Sequence, residues 1–286
     1  MNSGRVNRKT CVVTGANSGI GKEIARGLAA EGSRVLMVAR DQERGEAARG
    51  EVAASTGNQE VELLVCDLSS QRQIRELAAT VLDDYERLDV LVNNAGLTLG
   101  KRILTEDGIE TTFAVNHLAP FLLTILVLEK LKESAPSRIV TVASDAHRGA
   151  AINFEDPGGE RAFSAWGAYG QSKLANILFT RELARRLRGT GVCATCLHPG
   201  VVRTRFGRRG PAFIRIGTRI AGIFLLSPAQ GADTAIWLAG SPEVEGASGG
   251  YYEKRRLTNP SLAARDPEAA TRLWELSELL TDLDKG

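Results

Sequence analysis

Three glycines between an apolar run and a helix-like segment constrain this chain more than any other feature. The stretch Thr14-Gly15-Ala16-Asn17-Ser18-Gly19-Ile20-Gly21 leaves the run Thr10–Thr14 and opens a segment of helical character at 20–30. Each glycine has its own use. Gly15 allows a tight exit from the strand, Gly19 lets the backbone come close to a bound group, and Gly21 lets the helix lie against the sheet. The helix starting here offers unpaired N–H groups and a positive dipole end, which suits the phosphates of a dinucleotide. Asn17, Ser18 and Ile20 lie in the same loop and join the three glycines as candidate contacts. Strand before and helix after are the context such a loop requires.

Further runs at 34–39, 61–66, 90–93, 138–143 and 192–197 are rich in Val, Ile and Leu without strict alternation. Parallel strands buried on both faces have this character. Helix-like segments at 42–54, 71–85, 109–132 and 169–187 separate them, with Pro120 expected to interrupt the third of these and Ser69-Ser70 to cap the second. Strand–helix repetition of this kind predicts an α/β fold, a doubly wound parallel sheet of the Rossmann type. The 286 residues contain no Pro-, Gly- or Ser-rich linker and no tandem repeat, so one domain, 1–286, is expected. Segment 207–227 breaks the rhythm and reads as a small lid-like insertion over the carboxyl edge of the sheet, near the carboxyl end of the chain. Residues 267–283 read as a terminal amphipathic helix. Segments 109–132 and 169–187 are apolar beyond one stripe, so a second face is expected to meet a partner subunit in a homodimer or homotetramer.

Composition narrows the function. Lys and Arg number 36 against 34 Asp and Glu, a formal charge of +2, and the cations are scattered. Nucleic-acid binding is therefore not expected. Four cysteines in a chain of this length make no disulfide framework, and Cys193 and Cys196 fall in an apolar strand, where core packing is the expected role. His117, His147 and His198 do not stand at metal-ligand spacing, so no metal is predicted. No apolar stretch near the start suggests a signal peptide, and none of about 18 residues suggests a membrane span. A reducing, cytoplasmic setting is expected.

The end of the second strand, Val38-Ala39-Arg40, has no acid where one would accept bonds from a ribose. Arg40 can instead pair with a 2′-phosphate through its planar fork, so the expected cofactor is NADP(H). Tyr169 and Lys173 stand four apart and share a helix face. An ammonium beside a phenol is expected to lower the pKa of the Tyr and make it a usable proton donor and acceptor.

The glycine spacing resembles the TGxxxGIG motif of the short-chain dehydrogenase/reductase family, and the resemblance accumulates along nearly the whole chain. Asn93-Asn94-Ala95-Gly96 follows the fourth strand, Asn116 sits in the long helix, and Ser144 ends the fifth strand. Tyr169-Gly170-Gln171-Ser172-Lys173 matches YxxxK, and His198-Pro199-Gly200 follows the sixth strand. The tail segments RLTNPSLAARD and LWELSELL are similar to the retinol-dehydrogenase-like branch.

The resemblance implies that Asn116, Ser144, Tyr169 and Lys173 form the catalytic set. Ser144 would bond the substrate oxygen, Tyr169 would move the proton, Lys173 would also hold the nicotinamide ribose, and Asn116 would anchor a water leading to Lys173. Asp41 would cap the second helix. Asp67 and Leu68 would flank the adenine, Asn94, Ala95 and Gly96 would lie beside the cofactor, and Pro199, Gly200, Val202 and Thr204 would contact its nicotinamide end. Asp67, the Asn94 turn and the Pro199 turn could equally be plain strand-ending turns. The implied activity is hydride transfer between NADP(H) and a small apolar carbonyl or alcohol of retinoid, steroid or polycyclic-ketone type. A catalytically silent NADP(H)-binding sensor or scaffold is the competing reading, and such a protein would be expected to have lost part of the catalytic set.

Overall fold

The computed structural model describes residues 9–202 and 226–283. Its framework is one eight-stranded sheet of β1 (Thr10–Thr14), β2 (Arg34–Ala39), β3 (Val61–Val65), β4 (Val90–Asn93), β5 (Ser137–Val142), β6 (Val192–His198), β7 (Tyr251–Glu253) and β8 (Arg256–Thr258). The strands lie in the order β3-β2-β1-β4-β5-β6-β7-β8, all parallel up to β7, with β8 antiparallel at the edge. The fold is thus the expected single-domain doubly wound α/β sheet.

The strands read as continuous apolar runs because both faces are covered. In β1, Cys11 and Val13 face one helical layer and Val12 the other; in β2, Val35 and Met37 oppose Leu36 and Val38. The first layer holds α1 (Gly19–Ala30), α2 (Gln42–Thr56) and α8 (Pro228–Gly240), through residues such as Ile24, Val52 and Leu238. The second holds α3 (Gln71–Asp84) and the long segment made of α4 (Thr111–Phe113), α5 (Ala119–Leu126) and α6 (Leu128–Glu133), followed by α7 (Ala165–Arg186). Ile74, Phe121 and Phe179 represent that layer in the core. Asp41 caps α2 by accepting the Arg44 N–H at 2.9 Å, and Ser70 caps α3.

Two helical features depart from expectation. The long segment is not simply broken at Pro120. Residues Ala114–Leu118 form a π-helical turn, closed by the Ala119 N–H on the Ala114 carbonyl, and Pro120 follows in the first turn of α5. Proline has no N–H to give the carbonyl four residues back, here that of Asn116, so the irregularity lies on its amino side. Second, the extra apolar face of α5 and α7 is met within the chain by α9 (Pro267–Leu280). Trp274 packs edge-on to Phe121 at 5.1 Å between centroids and stacks on Phe179 at 6.0 Å. His117 joins the same seam, its Nε2 2.9 Å from the Ser277 hydroxyl.

The β7–β8 hairpin has no counterpart in the sequence expectations. Its two turn residues, Lys254 and Arg255, both have positive φ, 51° and 59°. That turn usually carries Gly or Asn, whose absence hid it. Among the described residues no helix is long and apolar enough to cross a membrane.

Candidate active site

Strand order reverses between β1 and β4, and ligands of open α/β sheets bind in the crevice that such a reversal creates at the carboxyl ends of the strands. The Gly15–Gly21 turn and the Asn94–Gly96 turn meet there. The Asn94 side chain donates to the Thr14 carbonyl at 2.8 Å, and the Asn94 and Ala95 amides both donate to the Thr14 hydroxyl, at 3.0 and 3.1 Å. Gly15 has φ +66°, and a Cβ on it would lie 2.9 Å from the Ala95 Cα. A Cβ on Gly21 would collide with the Gly15 carbonyl oxygen and the Asn94 amide nitrogen. The turn therefore closes only with these glycines.

The start of α1 differs from the other long helices. Asp41, Ser70, Ser164, Ser227 and Asp266 cap α2, α3, α7, α8 and α9 through their side chains. Ser18 makes no such bond to α1, whose first turn also holds no acid. Among the described residues no side chain caps the N–H groups at this helix start, which fits a dinucleotide pyrophosphate as their acceptor. Asn17, Ser18 and Gly19 line the turn, while Ile20 leans on the core. Arg40 directly follows β2, with its side chain 59% exposed, and stands 3.7 Å from Asp67. That pair is solvated and weak, so the guanidinium stays available to a phosphate. Asp67 is also a turn residue, accepting the Ser69 N–H and hydroxyl at 3.0 and 2.8 Å, and Leu68 packs on the core.

Asn116, Ser144 and the Tyr169–Lys173 pair of α7 come from three different places in the sequence and converge beside Gly96. A Cβ on Gly96 would be 3.4 Å from both the Asn116 Oδ1 and the Lys173 Nζ. Tyr169 hydrogen-bonds Ser144. Lys173 is buried, donates to the Val142 carbonyl at 2.9 Å, and has its Nζ 5.7 Å from the centre of the Tyr169 ring. The Asn116 side chain is fully used. Its Oδ1 accepts the Leu97 N–H at 2.8 Å, and its Nδ2 donates to the Leu97 carbonyl and the Ser172 hydroxyl, each at 2.9 Å. Its main-chain carbonyl is the one to which Pro120, lacking an N–H, cannot donate.

The electrostatics correct one expectation. Burial pushes the Tyr169 phenol up to about 12, with the Ser144 hydrogen bond opposing it, and burial pulls Lys173 down to about 8. Loss of hydration dominates at both groups, so burial favours the neutral phenol of Tyr169 rather than its phenolate.

Pro199, Gly200 and Val202 follow β6, with Gly200 at φ +83° and Val202 bridging to Leu226. Thr204, and the 207–225 part of the expected 207–227 insertion, lie outside the described residues. Sequence reasoning missed Thr14 and Leu97, which hold the two turns, and the surroundings of Ser144. His147 and His198 flank that residue from positions far apart in the chain. Among the described residues no cluster of His, Cys, Asp and Glu could hold a metal ion.

A glycine turn at the strand-order reversal, beside a Ser–Tyr–Lys cluster, is the arrangement of a nicotinamide-dependent oxidoreductase, and the likeness to known proteins agrees. Residues 9–211 match the short chain dehydrogenase family, and the chain belongs to it, a family of oxidoreductases acting on CH–OH groups. It is similar to human retinol dehydrogenase 14, 44% identical over 99% of this chain and 89% of that protein. It is similar too to human retinol dehydrogenase 11, 46% identical over 94% and 84%. Among solved structures, an uncharacterised protein from Mycobacterium paratuberculosis superposes with a TM-score of 0.79 at 36% identity, covering 96% of this chain and 94% of that one. A Pseudomonas aeruginosa RhlG/NADP active-site complex superposes with a TM-score of 0.69 at 28% identity, covering 86% and 94%.

Proposed function

We propose that this protein is an NADP(H)-dependent carbonyl reductase or alcohol dehydrogenase acting on an apolar substrate of retinoid, steroid or polycyclic-ketone type. The observation that carries this reading is the meeting of Ser144, Tyr169, Lys173 and Asn116 at the edge of the uncapped glycine turn. Arg40 directly after β2 supports NADP(H) over NAD(H), as does the likeness to the RhlG/NADP complex. The retinol dehydrogenases among its relatives support the apolar substrate class.

Bound NADPH supplies a hydride. The Gly15–Gly21 turn would hold its pyrophosphate, Arg40 its 2′-phosphate, Lys173 its nicotinamide ribose, and Pro199, Gly200, Val202 and Thr204 its nicotinamide end. The chain's own residues handle the oxygen and the proton. The Ser144 hydroxyl orients the substrate carbonyl oxygen by donating to it. The Tyr169 phenol donates its proton to the same oxygen as negative charge develops there. Lys173, whose depressed pKa lies close to neutrality, returns a proton toward Tyr169 from the Asn116 side. A Tyr held in its protonated form suits the reducing direction. In the same proposal the chain is one catalytic domain and segment 207–227 serves as substrate lid.

The test is a panel of carbonyls and alcohols, all-trans-retinal included, run with NADPH, NADH and their oxidised forms while nicotinamide absorbance is followed. Turnover with NADPH, strongly reduced in Tyr169→Phe, is the expected result. Tight NADPH binding without turnover of any substrate would favour a silent cofactor-binding protein.

A further inference from the structure

The peptide group between Ser144 and Asp145 is gripped at both ends by imidazoles. Ser144 is extended, with φ −166° and ψ 155°, and begins a single turn of 3-10 helix, Asp145–His147. Its carbonyl receives the His147 backbone N–H at 3.1 Å and lies 2.7 Å from the His147 Nδ1. The other ring nitrogen, Nε2, accepts the backbone N–H of Ser261 at 3.0 Å. A peptide N–H can only donate, so Nε2 carries the lone pair and the His147 hydrogen sits on Nδ1, aimed at the Ser144 carbonyl. The far end of the same peptide, the Asp145 N–H, donates to the His198 Nδ1 at 3.3 Å. That bond fixes the opposite tautomer for His198, with its hydrogen on Nε2, 4.0 Å from the Asp145 carboxylate.

Both rings are held. His147 is fully buried and meets Tyr251 edge-on at 5.3 Å between centroids, while His198 ends β6 with 7% of its surface exposed. Tyr251 donates to the Asp145 carboxylate at 3.0 Å, closing the network behind Ser144. Burial lowers the basicity of both histidines, which keeps them in the neutral forms this arrangement requires. Arg148 adds a second tie from this turn to the tail, donating to the Asn259 carbonyl at 3.2 Å.

We infer that His147 and His198 are positioning residues, which set the plane of the Ser144–Asp145 peptide and so aim the Ser144 hydroxyl at the substrate oxygen. His147 thereby couples that hydroxyl to the tail segment around Ser261. The inference rests on the proposed role of Ser144, and its test separates the two.

Two measurements apply. In long-range proton–nitrogen NMR spectra, assigned by single variants among only three histidines, His147 is expected as the Nδ1–H form and His198 as the Nε2–H form. Identical tautomers, or rings averaging between both forms, would overturn the clamp without recourse to any substrate. For turnover, His147→Asn, measured with the fastest carbonyl of the panel, should lower kcat by about 10- to 100-fold, the scale of a small misplacement at a reacting centre. KM and NADPH affinity should change little. In a Ser144→Ala background the same substitution should cost less than about 2-fold, because groups acting as one unit are not additive. His147→Gln, which keeps a donor and an acceptor and serves also if the Asn variant does not fold, should recover part of the rate. Full additivity, or a parallel loss of NADPH affinity, would overturn the inference. Full turnover by Ser144→Ala itself would instead refute the catalytic role of Ser144.

Discussion

Removing the Trp274 ring tests whether α9 is an integral layer of this domain. Trp274 is 5% exposed and touches Phe121 of α5 and Phe179 of α7. The Arg186 guanidinium lies 4.1 Å above the ring, and the indole N–H donates to Glu278 at 2.6 Å. Deleting a buried Trp side chain typically costs about 3–5 kcal/mol through lost burial and the cavity left behind. Losing the Arg186 stacking adds roughly 0.5–1 kcal/mol at this partly exposed site. Trp274→Ala should therefore destabilise the protein by about 3.5–6 kcal/mol, a large share of the about 5–15 kcal/mol typical of a folded domain. Urea unfolding followed by circular dichroism measures this directly. Phe179 lies six residues beyond Lys173, about 9 Å along the helix, so turnover of the folded variant should stay near that of the parent. A loss below about 1.5 kcal/mol would refute the reasoning. A dimer sharing this seam would unfold at a midpoint that rises with protein concentration, whereas packing within one chain is independent of it.

Arg40→Asp should reverse or erase a preference for NADPH over NADH, by removing a partner of the 2′-phosphate and adding repulsion, and equal affinity for both cofactors in the parent would defeat the assignment. Tyr169→Phe should lower turnover by about 10²–10⁴-fold with NADPH affinity nearly kept, as titrated by cofactor fluorescence. Lys173→Ala should damage both. Lys173 also makes a pH prediction. Its ammonium ionises near 10.5 when unfolded and at about 8 when folded, so the unfolded chain binds the extra proton between those values and stability rises with pH across that window. Lys173→Met lacks this dependence. The stability difference between parent and variant should shift in the parent's favour by up to roughly 3 kcal/mol from pH 8 to 10.5, and a constant difference would mean that Lys173 is solvated.

What could be read from the residues, and what could not, divides along physical lines. The strands inside the sheet were legible because helices on both faces leave no polar side to the strand, and the glycine turn was legible because its steric demands are local. The catalytic residues were legible as a set through motif order, yet their arrangement was not. That Asn116 spends its side chain on Leu97 and Ser172 depends on a π-turn that no propensity announces. The second apolar face of α7 suggested a partner because sequence shows that a face is apolar without showing what covers it. The same limit hid the histidine clamp. His147 is three residues from Ser144, but its meaning depends on the Ser261 amide, 114 residues away, and on His198, which the pairing of β5 with β6 brings alongside Asp145. A lone imidazole in a sequence can carry its proton on either of two nitrogens. Only the backbone donor that faces one of them decides which carries the proton, and here that choice converts two isolated histidines into supports for one peptide plane.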